Sequence, residues 1–510
     1  MTSSTEIQLV FGRWVFTGQS TLDHGAVAIQ ADTVIEVGSQ EDLQRKYPNA
    51  TVMGSDHFAV MPGLINAHHH SNGVPNSLQG VSDDYLEPWL FSLFCLRGQA
   101  PLPQTLFSIA RLLRSGVTSV VDFSIMSGPA DACHSFLGQR LQAYRQAGMR
   151  VALAAGAKYQ SHLVHGAGQD DLFLQSLPTV LAQKVKKMVP LEEALAPEDY
   201  LDLVGDLAKT YHSHPHIQVW FGPPGPQWVS DDLMVRIADA AARLDTGVQT
   251  HVTESLPEKL LGPKFYGRSV IQHLQDLGVL SPRFSMAHGV WVSEADIQIL
   301  ADTGASISHN PSSNLRLRAG VLPLNALMAA GATVGLGMDG TAIGDDEDMF
   351  AEMRLAARLH RETQMKQTAP TWEDTFHLAT QGSAKLMLLE SSIGQIAPGF
   401  KADMVLVDWD TVTWPWLAPE ADPLEVMLMR AKAGNVHTVL VNGDVVLKNG
   451  QPTGFDLQAV AAELADQLSA SPGRDHYRDL SAEVRPYLES WYAAWQVPDL
   501  QPYAAFNSRL

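Results

Sequence analysis

The stretch Met61-Pro-Gly-Leu-Ile-Asn66-Ala-His68-His-His70 decides how the rest of the chain is read. A short apolar run leads into two histidines one residue apart. Side chains alternate faces along an extended segment, so residues 68 and 70 point the same way. Two imidazoles projecting together make half of a metal site. A pair of this kind gains meaning only when the remaining chain supplies partners for it.

Composition sets the outer bounds. The chain has 510 residues, room for one large domain or two. Apolar residues make up 45% and charged residues 18%, an ordinary globular balance with a sizeable core. Basic side chains number 35 against 55 acidic ones, a net charge of −20. That argues against nucleic acid or an anionic membrane surface as partner. Cys95 and Cys133 are the only cysteines. They allow no disulfide framework and no cysteine-rich metal site, which suits a reducing cytosol, so a cytoplasmic location is expected. They also exclude the deaminases built on His-x-Glu with Pro-Cys-x-x-Cys. Met1-Thr-Ser-Ser-Thr-Glu6 lacks a basic region followed by an apolar block, so no signal peptide is expected. No run of about 18 apolar residues is available to span a membrane.

Outward from the histidines, two textures alternate. Residues 7 to 60 read as short strands and turns: Gln8–Phe11, Trp14–Phe16, Ala26–Ile29 and Thr33–Val37. The same texture returns in Ala402–Asp408 and Val436–Leu447, with Asn442-Gly443-Asp444 as a hairpin turn. The two ends of the chain are therefore expected to share one small β domain. Between them, short apolar strands end at Ile65, Asp122, Ala155, Phe221, Thr250, Ala287, Ser308 and Gly337. Helical patterns such as Thr105–Arg114 and Asp232–Arg243 separate them. Eight strands in strand–helix alternation predict an α/β fold, a (β/α)8 barrel of the TIM type. The expected divisions are 1–60 and 389–454 for the two parts of a β-sandwich, 61–388 for the barrel, and 455–510 for a helical tail. That tail is rich in aromatics (Tyr477, Tyr487, Trp491, Tyr492, Trp495) and is expected to pack on the barrel or on another subunit. Residues 159 to 200 exceed a plain connection and read as an insertion on the top side, where His162 and His165 are candidates to line a pocket. The tract Tyr211-His212-Ser-His214-Pro-His216 precedes strand 4 and belongs to the bottom of the barrel, away from chemistry.

The polar residues fall into place on that scaffold. His68 and His70 come at strand 1, His251 at strand 5, His288 at strand 6 and Asp339 at strand 8. Each sits where a barrel presents its active site, and together they are hard to read as structural histidines.

With those residues placed, the chain resembles the amidohydrolase superfamily, in its branch of metal-dependent aminohydrolases and chlorohydrolases that holds cytosine deaminase-like and triazine hydrolase-like enzymes. The resemblance rests on Pro62–His70, Asp83-Asp-Tyr-Leu-Glu-Pro-Trp89-Leu, Ser115-Gly-Val-Thr118, His251-Val-Thr-Glu254, Ser308-His309-Asn-Pro-Ser-Ser-Asn314, Gly337-Met-Asp339-Gly and Gly394–Asp403, in the family order from about residue 7 to 450. It implies that His68, His70, His251 and Asp339 hold one divalent metal, zinc first, with iron, cobalt or manganese as substitutes. The metal lowers the pKa of a water towards ~7. The resemblance further implies that Glu254 shuttles a proton to the leaving nitrogen. Asp339 doubles as general base, and His288 contacts the water or the developing oxyanion. His309 matches a histidine that stands either behind the ligands or on the substrate side. Strand 4, Ile217–Phe221, lacks the lysine that bridges two metals in other members, so one ion is expected.

Two loops depart from the family pattern. Gly222-Pro-Pro-Gly-Pro-Gln-Trp228 has no histidine after strand 4, and Ser71-Asn-Gly73 replaces the usual segment after His70. The remaining rim, with Asn72, Trp89, Trp228, Trp291, His309 and Asn310, is aromatic and neutral polar. It suits a small, flat, neutral nitrogen heterocycle. Arg316 and Arg318 are the exception, able to bind a carboxylate if they turn inward. The expected activity is hydrolysis of a C–N bond at an sp2 carbon, foremost a deamination. An amide, urea or carbamate hydrolase on the same barrel is the alternative. A non-catalytic scaffold is disfavoured because the ligand set, Glu254 and Asp339 are all present. The expected partner is a small-molecule substrate, and a homo-oligomer, dimer or higher, is expected.

Overall fold

The computed structural model describes residues 6–189, 195–340, 344–363, 365, 369–495 and 497. Residues 1–5, 190–194 of the expected insertion and 498–510 of the expected tail lie outside them, with the few others between those ranges.

The N-terminal strands are β1 (Ile7–Phe16), β2 (Thr21–Gln30), β3 (Thr33–Ser39) and β4 (Thr51–Pro62). One residue later begins β5 (Leu64–His69), the first of eight parallel strands. The others are β6 (Val117–Ile125), β7 (Arg150–Gly156), β8 (Ile217–Phe221), β9 (Val248–Val252), β10 (Phe284–His288), β11 (Ser306–His309) and β12 (Thr333–Leu336). These eight are ordered sequentially. Asp339 N donates to His68 O at 2.9 Å, drawing the end of β12 against β5. The result is the (β/α)8 barrel. Its strands are buried almost end to end, as parallel strands covered by helices must be.

The helices carry their own start and stop signals. Pro101–Arg114 opens with proline in its first turn and buries Leu106, Ile109, Ala110, Leu112 and Leu113 along one face. Asp231–Arg243 is capped by Ser230, whose side chain accepts from Leu233 N, with acids in its first turn and Arg243 in its last.

The C-terminal segment adds β13 (Met404–Asp408), β14 (Val436–Val441), β15 (Asp444–Lys448) and β16 (Gln451–Pro452). They join β1–β4 in one sheet ordered β16-β15-β14-β13-β4-β1-β2-β3, with β13 antiparallel to β4. The two chain ends therefore share one β unit. Its hydrogen bonding forms a single continuous eight-stranded sheet with apolar clusters of alternating residues, one around Val10, Val27, Val60 and Leu406 and another around Leu9, Phe11 and Ala28. The link to the barrel is polar and buried. Arg150, at the start of β7, pairs with Asp403 and with Asn442, and also donates to Ser119 Oγ at 3.1 Å.

The strand ends differ from the sequence reading in one instructive place. β5 runs on past Ile65 to His69, so His68 is a strand residue. Its pairing with β6 slips between Asn66 and His69. Above the barrel, the insertion helices Gln169–Ser176 and Thr179–Met188 pack with the tail helix Asp475–Ala493 around their own apolar cluster, which includes Phe91, Phe173, Val185, Val484 and Leu488.

Replacing Arg150 by alanine strands the buried Asp403 carboxylate without its cation. Removal of one partner from a buried pair costs about 3–5 kcal/mol. The expected outcome is a clear fall in the denaturation midpoint, followed by circular dichroism, and a smaller fall for Arg150→Lys.

Candidate metal centre and active site

Five side chains from the C-terminal ends of four strands converge. The ligand atoms of His68, His70 and His251 lie within 4.8 Å of one another, and so do those of His68, His288 and Asp339. The two groups share His68 and therefore mark one centre. His70 Nε2 lies 3.1 Å and His68 Nε2 3.6 Å from Asp339 Oδ1, and His251 Nε2 is 3.4 Å from His70 Nε2.

The far side of each ring explains this convergence. His70 Nδ1 meets the Phe123 carbonyl at 3.1 Å and His251 Nδ1 the Pro224 carbonyl at 2.7 Å. His68 Nδ1 meets Gln249 Oε1 at 2.8 Å. The orientation of the Gln249 amide follows from its Nε2, which donates to Ala67 O at 2.9 Å. All three partners accept, so each ring donates from Nδ1 and turns an Nε2 lone pair inward. Burial pushes the His68 imidazole well below its ordinary range and His251 down to about 3, so neither ring carries the positive charge. His68 Nε2 is buried without a hydrogen-bond donor. Lone pairs and a carboxylate packed together need a cation. A proton on His70 would satisfy one contact, whereas a divalent ion satisfies them all. The donor set thus fits a metal held by His68, His70, His251 and Asp339.

The reacting ends of the strands are bent out of ordinary geometry. Thr253, His288 and Asp339 have φ of 49°, 75° and 55°. Non-glycine residues avoid this region, at a cost of about 1–3 kcal/mol each, and hold it where packing over-determines them. Asp339 is tied down by Ser313 Oγ, which donates to Oδ2 at 2.6 Å. Gly340 follows because a Cβ there would fall 2.6 Å from Asn72 Nδ2.

His288 sits between two carboxylates, its Nε2 3.5 Å from Glu254 Oε2 and 3.9 Å from Asp339 Oδ2. Its Nδ1 meets Asn314 Oδ1 at 2.9 Å. Glu254 is buried. Burial, and then the charges of Glu258, Asp339 and Glu87, hold its carboxyl well above the usual range. Asp339 goes the other way. Burial pushes it up, but the hydrogen bond and charge of His70, with His68 and His288, outweigh that and leave it well below the carboxylate range. Their surroundings thus push two carboxyls in opposite directions across a single imidazole.

The expected substrate residues divide. Asn72 lies beside Gly340, and Trp89 and Trp291 are half-buried. Trp228 is nearly covered, with Lys158 Nζ 4.8 Å from its ring centre. His309 and Asn310 are both fully buried. His309 Nε2 faces His360 Nε2 at 2.8 Å, while Asn310 Nδ2 lies 3.3 Å from His288 Nδ1. They brace the site from behind. Arg316 pairs with Asp83 and Asp345, and Arg318 lies over the Tyr85 ring, so these cations already have partners. His216, of the lower histidine tract, contacts Gly148 O and Asn442, at the foot of the barrel.

Sequence reasoning missed Gln249, Ser313, Glu258 and Glu87. Gln249 carried a signal, because it precedes His251 by two on a strand and so shares its face. Phe123 and Pro224 act through backbone carbonyls, which leave no mark in side-chain identity.

Comparison with known proteins places this geometry. A model described as "Amidohydrolase family" matches residues 59–446. A 5-methylthioadenosine/S-adenosylhomocysteine deaminase of Nitratidesulfovibrio vulgaris is 29% identical over 454 residues, 88% of this chain and 93% of the relative. An 8-oxoguanine deaminase of Pseudomonas aeruginosa is 29% identical over 463 residues, 89% of this chain and 97% of the relative. An adenosine deaminase from Xanthomonas campestris, crystallised with bound zinc, superposes with a TM-score of 0.77 at 27% identity, covering 92% of this chain and 98% of that one.

Two outcomes follow from the supports of the site. Gln249→Ala removes the acceptor behind His68. Loss of such a partner weakens metal retention roughly 10–100-fold, read by competition with a calibrated chelator. Glu352, which accepts from Ser312 N at 2.9 Å beneath the Asn310–Asn314 segment, is raised by burial to about 8. Its folded pKa exceeds the unfolded value, so its contribution is present at low pH and is lost as pH rises through 8. Glu352→Gln is expected to flatten the stability–pH curve over the range from about 4.5 to 8, measured by urea denaturation.

Proposed function

The chain belongs to the amidohydrolase family, and on that premise we propose that it deaminates a small, neutral amino-substituted nitrogen heterocycle of the purine type, as free base or nucleoside. It is a hydrolase of carbon–nitrogen bonds other than peptide bonds that works with a divalent metal. The observation that carries the reading is the placement of Glu254 and Asp339 on either side of His288, whose Nε2 lies 3.5 Å from one carboxylate and 3.9 Å from the other beside the three ligand imidazoles. The names of the relatives support the substrate class, since they act on adenine nucleosides and on 8-oxoguanine. The neutral, aromatic character of Trp89, Trp228, Trp291 and Asn72 supports it as well, and so does the engagement of Arg316 with Asp83 and Asp345.

Zinc held by His68, His70, His251 and Asp339 would acidify water at the centre towards neutral pH. The protein's own groups do the rest. Asp339 accepts a proton from the attacking water. His288, within reach of both carboxylates, faces the oxygen that develops charge and lets a proton pass between them. Glu254 delivers its proton to the ring nitrogen, the proton taken by Asp339 goes to the amine as it leaves, and the hydroxyl proton lost as the carbonyl forms restores Glu254. The C–O bond forms, the C–N bond breaks, and ammonia leaves with an oxo heterocycle behind.

A homo-oligomer is part of the proposal, supported by the exposed Trp414 and Trp416. So are a cytoplasmic location, a barrel spanning 61–388 and a β unit built from 1–60 and 389–454. Among the described residues no helix is long and apolar enough to cross a membrane.

Coupled ammonia detection over a panel of aminopurines, their nucleosides, arylureas and acylated amines tests the reaction class. Release of ammonia from an aminopurine is expected; turnover confined to ureas or amides would replace the reading. Glu254→Gln is expected to lose roughly 10²–10⁴-fold in kcat while keeping its metal. Near-normal turnover in that variant would remove Glu254 from its role.

A further inference from the structure

Glu254 does not stand alone on its side of the site. Its backbone N donates to Glu258 Oε2 at 2.7 Å, and Gln227 Nε2 donates to Glu258 Oε1 at 2.8 Å. The next residue, Ser255, caps the helix Leu256–Leu261 and donates through Oγ to Glu87 Oε1. The same oxygen of Glu87 faces His165 Nε2 at 3.3 Å. Glu87, Ser255, Glu258, Gln227 and His165 are all buried.

His165 belongs to the insertion after β7, and it is held from the far end of the sequence. Its backbone N donates to the hydroxyl of Tyr492, 327 residues away in the helix Asp475–Ala493. The rings of His165 and Tyr492 lie 5.6 Å apart, and Tyr492 packs at 5.1 Å on Trp495. Trp495 in turn meets Phe265, from the segment after β9, at 5.8 Å. The tail helix thus touches the tops of the loops after β5, β7 and β9. The segment it braces needs bracing, because Thr253, immediately before Glu254, is held at φ 49°.

We propose that the C-terminal helix is a working part of the active site: Tyr492 fixes His165, His165 fixes Glu87, and Glu87 through Ser255 holds Glu254 in position. His165 and Tyr492 are positioning residues and do not touch the reacting atoms. The inference takes from the proposed function only that Glu254 carries the proton. It applies to whichever substrate the enzyme turns over.

The test measures kcat, KM, metal content and amide hydrogen exchange for the full-length protein and three variants. Tyr492→Phe removes only a hydroxyl, and it is expected to lower kcat roughly three- to tenfold with KM and metal content little changed, since small displacements of a catalytic group act on the chemical step. His165→Ala is expected to lose roughly 10–100-fold, and His165→Gln, whose amide still donates to Glu87, to recover most of that loss. The amide of Glu254 is expected to exchange faster in Tyr492→Phe and His165→Ala, a readout that needs no substrate and so stands even if the deaminase reading fails. Unchanged kcat and unchanged exchange at Glu254 in Tyr492→Phe would overturn the proposal. So would a kcat loss matched by metal loss, or no recovery in His165→Gln.

Discussion

Three acceptors, the Phe123 carbonyl, the Pro224 carbonyl and Gln249 Oε1, each take the Nδ1 proton of one imidazole. The chemistry of the site depends on that constraint. With Nδ1 engaged, three Nε2 lone pairs and the Asp339 carboxylate are left facing one another. Such a cluster is unfavourable until a cation neutralises it, so the fold has in effect built the demand for a metal into its core. Other features serve the same end. The slipped register of β5 against β6 lies between Asn66 and His69, which takes in His68 and ends one residue before His70. The strained backbones of His288 and Asp339 aim their side chains at the same point.

The opposite wall follows a different logic. Glu254, Glu258 and Glu87 are buried close together, and their mutual repulsion favours a retained proton. Holding like charges in place requires hydrogen bonds from elsewhere. Gln227, Ser255 and His165 supply them, from the loop after β8, the end of β9 and the insertion after β7. The metal side is thus fixed by the barrel's own strands, while the proton side leans on segments added to the barrel.

Much of this was legible in the sequence, for identifiable reasons. All eight parallel strands were visible because a covered parallel strand is a short, nearly continuous apolar run, and those runs alternate with helical periodicity. The five central polar residues were visible because each lies at or within a few residues of the end of such a run. Substrate-side residues were less legible. His309 follows the same rule as His288, yet its ring turns to His360 and is buried. Its partner His360 follows the helix Met349–Leu359, fifty-one residues on, and no local pattern announces that contact. The contact of His165 with Tyr492 spans most of the chain and obeys no local period, so no sequence pattern announces it.

X-ray absorption at the metal edge, on protein purified without chelators, tests the central claim most directly. The account expects a nitrogen- and oxygen-only shell at about 2.0–2.2 Å, with the outer scattering of three imidazoles. A sulfur shell, fewer than three imidazoles, or a fully active protein with no metal edge at all would contradict it.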